Sequence, residues 1–201
     1  MSETKRIVSF DVGLRHLAFA VLLVDDECQV TLERWEVVDV LSGMEKGKSA
    51  PDALTTAIVE TLDREFYDPG STSYDAILIE NQPARKNPEM KGVQMAIHTY
   101  FATLRMYVGC VKDIHLVSAG RKLQTQDAGK KASYRERKAL SVELGRKALV
   151  EMGDEAALEK LARTKKKDDL CDALLQGLEW IKPSKRTRAK KIAALPNQEP
   201  T

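Results

Sequence analysis

The sequence predicts an α/β domain in which one mixed five-stranded sheet is flanked by helices. Three observations carry that expectation. Residues 7–40 hold three β-type stretches separated only by short polar turns. Beyond them, helical and strand-like periodicities alternate. The later strand candidates are short and apolar, as strands covered on both faces are.

Each element follows from local chemistry. Ile7-Val8-Ser9-Phe10-Asp11-Val12-Gly13 puts Ile7, Ser9 and Asp11 on one face of a strand, with Val8, Phe10 and Val12 on the other. Leu17–Val24 is almost continuously apolar, the turn Asp25-Asp26-Glu27 follows, and Gln29–Val40 alternates, so the three strands form a meander. After a loop over Ser42–Ser49, Pro51 suits a first helical turn. Leu54, Ala57, Ile58 and Leu62 follow at helical spacing until Asp68-Pro69-Gly70 stops them. Ala76–Ile79 is a central strand ending in Glu80.

Asn87-Pro88 caps a long amphipathic helix carrying Val93, Ala96, Ile97, Tyr100, Phe101, Leu104 and Val108 to Gly109. Ile114–Val117 is the fifth strand, and Ser118–Ala132 is a basic loop. Ser133-Tyr134-Arg135-Glu136 has capping-box spacing and opens a helix that runs to Gly153. A short helix covers Ala156–Leu161. Leu170, Ala173, Leu174, Gly177, Leu178 and Ile181 mark the last helix, which Pro183 ends. The domain therefore spans 1–182, and 183–201 reads as a basic, disordered tail.

Composition excludes several classes. No apolar run approaches the ~18 residues that span a bilayer. The opening Met-Ser-Glu-Thr-Lys-Arg has no signal-peptide core, which predicts an intracellular protein that is not secreted. Cys28, Cys110 and Cys171 lack metal-ligand spacing and read as free thiols. His16 and His115 have no partner pattern. The net charge of +2 conceals patches: six basic residues without an acid over 182–191, seven basic against two acidic over 120–138, and Lys165-Lys166-Lys167. That patchiness suits a polyanion such as nucleic acid.

The chemistry lies in acids that local structure does not ask for. Asp11 ends a buried strand, Glu80 ends another, and Asp168, Asp169 and Asp172 crowd the start of the last helix. A first-turn acid suits the helix dipole, which covers Asp168 and Asp169 but not Asp172. Helical geometry sets these acids away from the Leu170/Leu174/Leu178 stripe, so periodicity alone calls them solvated. Converging carboxylates repel unless protons or cations intervene, and hard divalent cations are the usual solution. Acids on separate elements together with basic patches point to metal-assisted phosphodiester cleavage.

Three segments sharpen this. Ser9-Phe10-Asp11-Val12-Gly13, Ile77-Leu78-Ile79-Glu80-Asn81-Gln82-Pro83 and Lys166-Lys167-Asp168-Asp169-Leu170-Cys171-Asp172-Ala173-Leu174, in that order, resemble the RuvC-like Holliday junction resolvases. The likeness is strongest to the poxvirus and mitochondrial branch, whose fold is RNase H-like, and it covers roughly Lys5 to Lys182.

The resemblance implies a homodimer that nicks opposed strands of four-way DNA junctions using Mg²⁺, with Mn²⁺ as substitute. It assigns Asp11, Glu80, Asp169 and Asp172 as metal ligands and catalytic residues; a register using Asp168 stays open beside Asp169. It implies a catalytic lysine after the fifth strand at Lys122, with Arg121 as competitor, and a lysine that only contacts backbone phosphate is the alternative role. Gln82, Arg85, Lys86, Arg121, Lys130 and Lys131 are the candidate DNA contacts, Lys91 falls in the same stretch, and the tail is a DNA tether or a nuclear-type address. A virus factory or the host cytoplasm or nucleus is the implied setting if the source is viral. Two alternatives stand beside this reading: an RNase H-like nuclease acting on flaps, bulges or RNA–DNA hybrids, and a non-catalytic junction-binding protein. An actin-like ATPase would need further Gly-rich phosphate loops, and the 11 glycines form no such clusters.

Overall fold

The computed structural model describes residues 4–42, 51–68, 72–85, 87–118 and 133–182. Five strands, β1 (Lys5–Asp11), β2 (His16–Val24), β3 (Val30–Asp39), β4 (Tyr74–Asn81) and β5 (Val111–Ser118), form one sheet in the order β3-β2-β1-β4-β5. The meander β1-β2-β3 is antiparallel, while β4 and β5 run parallel to β1. The expected mixed sheet is therefore the observed one. Helices α1 (Pro51–Phe66), α2 (Pro88–Tyr107), α3 (Tyr134–Met152), α4 (Glu155–Arg163) and α5 (Lys167–Ile181) cover it. No helix among the described residues is long and apolar enough to cross a membrane.

Strand parity divides the core in two. Val8, Phe10, Phe19, Ile77 and Ile79 point to the α1/α2 side, where they meet Ile58, Leu62, Phe66, Ile97 and Phe101. Ile7, Ala18, Ala20, Leu22, Ala76 and Leu78 point to the other side and meet Leu149, Leu161, Leu170 and Leu174 from α3, α4 and α5. The first layer is built on large rings: Phe66 lies edge-on to Phe10, Phe19 and Phe101, with centroids 5.3, 4.9 and 5.5 Å away. The second uses three alanines, whose small side chains leave room for a helix backbone to sit low on the sheet. Trp35 reaches over from β3, and its Nε1 donates to the Leu170 carbonyl at 2.8 Å.

The caps match their sequence signals. Asn87 accepts from the Met90 N–H at 3.2 Å, and Ser133 and Glu136 bond reciprocally in a capping box. Gly13 works as a close-approach residue, since a Cβ there would lie 2.2 Å from the His16 carbonyl oxygen. Two strands outrun their expected bounds. β5 begins at Val111 rather than Ile114, because it is an edge strand whose exposed Lys112 and Asp113 interrupt the apolar run. β4 starts at Tyr74, whose buried ring places its hydroxyl on the Phe66 carbonyl at 3.2 Å. On α2 the rings of Tyr100 and Phe101 are buried, whereas Tyr107 is 81% exposed.

Candidate metal centre

Strand register brings the first two acids together. In the parallel pair β1–β4, Phe10 sits beside Ile79, so Asp11 falls beside Glu80 one residue further on. Neighbouring strands lie about 4.8 Å apart. By parity both side chains share the face of Ser9 and Leu78, the face that α5 covers. Both are half-buried. They stand at the carboxyl ends of parallel strands, where open α/β sheets place their ligand sites.

Helix α5 supplies the third acid and is pinned to β1 by a polar clamp. Gln176, 2% exposed, donates through Nε2 to Ser9 Oγ and to the Phe10 carbonyl, both at 3.1 Å. Asp169, Asp172, Ala173 and Gln176 fall on one side of the helix by the i, i+3, i+4, i+7 rule. With Gln176 seated on Ser9 and Phe10, two turns back brings Asp169 up to the end of β1. The expectation that periodicity would leave these acids solvated is corrected here. The buried surface of α5 is wider than its leucine stripe and includes Cys171, Ala173, Gln176 and Gly177, because α5 is held between the sheet and α3.

The electrostatics record the crowding. Burial, then the charge of Asp168 and then that of Asp11 push the Asp169 carboxyl up to about 6, against a weaker opposite pull from Lys166. For Asp168, burial is outweighed by Lys138, whose ammonium pairs with it, and the carboxyl is held below its usual range. Asp172 accepts a 2.5 Å hydrogen bond from Ser141 Oγ. Among the described residues, no three His, Cys, Asp or Glu side chains are drawn into a ready-made metal cluster. That fits carboxylates which repel one another and lean on Lys138 and Ser141 instead. These side chains offer only hard oxygen donors with excess negative charge, a set that suits a hard divalent cation and not a soft metal.

A sequence profile described as the poxvirus A22 protein family matches residues 5–183, nearly the whole chain. The chain belongs to that family. A curated relative, an uncharacterised protein of Acanthamoeba polyphaga mimivirus, is 28% identical over 139 residues; the match takes in 62% of this chain and 33% of that protein, so the chain aligns to about a third of its relative. Among solved structures the A22-family chain is similar to the yeast mitochondrial Holliday junction resolvase, with TM-score 0.60 and 16% identity over 88% of this chain and 79% of that one. It is similar to the fowlpox virus Holliday junction resolvase, with TM-score 0.58 and 19% identity over 88% and 97% of the two chains. Thermus thermophilus RuvC follows, with TM-score 0.51 and 15% identity over 87% and 92%. At these identities the likeness establishes the RuvC, RNase H-like resolvase fold.

The remaining expected residues of this A22-family protein fall unevenly. The Gln82 N–H donates to Gln94 Oε1 at 2.7 Å, which ties the exit of β4 to α2. Arg85 is exposed in the turn that follows. Lys86, Arg121, Lys122, Lys130 and Lys131 lie outside the described residues, as does the tail from 183. Lys91 reaches Asn81 Oδ1 at 3.3 Å and Gln94 Oε1 at 3.1 Å, beside Glu80 in sequence. Sequence reasoning missed Ser141, Lys138, Gln94 and Gln176. Their one available signal was a polar residue on an otherwise apolar helical face, which Gln94 and Gln176 carry.

Proposed function

We propose that this chain is a Holliday junction resolvase, a structure-selective endonuclease that nicks opposed strands of four-way DNA junctions with the help of divalent metal. The observation that carries the reading is the placing of Asp11 beside Glu80 on two parallel strands, with Asp169 of the covering helix near enough that burial and the charges of Asp168 and Asp11 push its carboxyl up. Family membership and the resolvase fold support it.

Asp11, Glu80, Asp169 and Asp172 hold the metal, Mg²⁺ in the cell with Mn²⁺ able to replace it. When bound, the metal supplies positive charge that activates water and offsets the charge developing on the scissile phosphate. The strand pair fixes the spacing of Asp11 and Glu80, and the Gln176 clamp fixes α5 over them. Below about pH 6, positive charge entering the site would have to displace a proton from Asp169. Lys122 steadies the phosphate, and the cut leaves 5′-phosphate and 3′-hydroxyl ends. Gln82, Arg85, Lys86, Arg121, Lys130 and Lys131 contact the DNA around the cut. The nuclease domain comprises 1–182, two copies act as a homodimer on one junction, and the basic segment 183–201 tethers DNA. The protein acts inside the infected cell, in a virus factory or in the host cytoplasm or nucleus.

The test is a synthetic four-way junction incubated with Mg²⁺ and either the unaltered protein or Asp11→Asn. The unaltered protein is expected to nick opposed strands, and the variant to bind the junction without cutting it. Full cleavage by Asp11→Asn would remove Asp11 from catalysis. A preference for flaps or RNA–DNA hybrids over junctions would replace the resolvase reading with that of a different RNase H-like nuclease.

A further inference from the structure

Helix α3 presents Lys138, Ser141 and Gly145 to α5, at positions i, i+3 and i+7 of one face. Lys138 pairs with Asp168, Ser141 donates to Asp172 Oδ1, and Gly145 lies flush against Cys171. A Cβ on Gly145 would stand 2.5 Å from Cys171 Sγ and 2.7 Å from its Cβ, so the two helices come this close only because the residue is glycine. The same close approach brings Ser141 within reach of the acid. Ser141 is 3% exposed, and its hydroxyl, which in a helix interior commonly turns back to the carbonyl one turn earlier, crosses to the neighbouring helix instead.

We propose that Ser141 is a positioning residue that fixes the carboxylate of Asp172 for a divalent cation. A hydroxyl bonded to Oδ1 stops rotation of the carboxylate about its terminal torsion, so that Oδ2 meets the cation in one orientation. A hydrogen bond to a carboxylate is charge-assisted and holds that orientation, and hydrogen-bonded partners behind metal ligands commonly control affinity. The inference rests on the metal-site reading above and extends it from the acids to the helix behind them.

The experiment compares Mn²⁺ binding by the DNA-free full chain, followed by electron paramagnetic resonance, with the Mg²⁺ concentration for half-maximal junction nicking. Ser141→Ala is expected to weaken Mn²⁺ binding and to raise the Mg²⁺ requirement, each by about tenfold or more. Junction binding in Ca²⁺ should be unchanged, and Ser141→Thr should restore metal affinity by returning the hydroxyl. Ala157→Gly, which loosens the same core layer away from the acids, controls for general destabilisation: it should lower the Tm and leave Mn²⁺ affinity alone. Wild-type Mn²⁺ affinity in Ser141→Ala, or a loss no greater than that of Ala157→Gly at matched Tm, overturns the proposal. If Ser141→Ala weakens Mn²⁺ binding while the unaltered protein nicks no junction, the positioning role stands and the resolvase reading falls.

Discussion

A ligand role for Asp169, as proposed above, predicts that metal binding depends steeply on pH. Its carboxyl is pushed up to about 6 by burial and by the charges of Asp168 and Asp11. A ligand must be ionised, so each cation that binds below that value has to displace a proton. With a pKa of about 6, roughly one molecule in eleven carries the ionised group at about pH 5, against nearly all at about pH 7.5. Apparent Mg²⁺ affinity should therefore fall about tenfold across that interval, or about 1.4 kcal/mol. Calorimetric titration of the DNA-free protein with Mg²⁺ in buffers of different ionisation enthalpy reads both the affinity and the proton released. Asp169→Asn should bind weakly with a much flatter profile. Asp11→Asn, which removes one of the repelling charges, should move the midpoint to lower pH. Mg²⁺ affinity that stays level from about pH 7.5 to about pH 5, with no proton release, would refute a ligand carboxyl raised to about 6 at Asp169.

The same carboxyl makes a contribution to metal-free stability opposite in sign to that of the lowered carboxylates Asp168, Glu33 and Asp75. Unfolded, it titrates near its usual value of 3.8, and folded near 6, so folding takes up a proton between those limits. Its contribution to stability is present at low pH and is lost as pH rises through about 4 to about 6, and the difference in thermal melts between the unaltered protein and Asp169→Asn, both in a chelator, should show that decline. Gly145→Ala should destabilise by about 1–3 kcal/mol, read from denaturant midpoints, because the new Cβ meets Cys171; adding Cys171→Ala should recover only part of the loss, since the residue 171 Cβ remains. Gln176→Met, close in volume, breaks the clamp to Ser9 and the Phe10 carbonyl; it should cost about 1–3 kcal/mol and slow nicking beyond what the stability loss explains, measured at a temperature where the variant is folded. Trp35→Phe should cost about 1 kcal/mol by removing the bond to the Leu170 carbonyl, as a fall in Tm.

The sequence by itself determined the elements and their order, since these depend on neighbours along the chain. Strand parity put Asp11 on the Ile7/Ser9 face, and Asn87 and Ser133 announced their helices. Three short acidic segments in the right order were enough to suggest the resolvase likeness. What the tertiary structure alone decided was adjacency. That Asp11 stands beside Glu80 follows from the register of a parallel pair whose strands are joined through two others and a helix, and no local pattern encodes it. That Asp169 and Asp172 face inward contradicted helical periodicity, which counts apolar side chains and is blind to a face seated on Ala18, Ala20 and Ala76 and clamped by Gln176. Ser141 and Lys138 were silent for the same reason: a serine and a lysine on a helix say nothing of which carboxylate lies across from them until Gly145 lets the two helices meet.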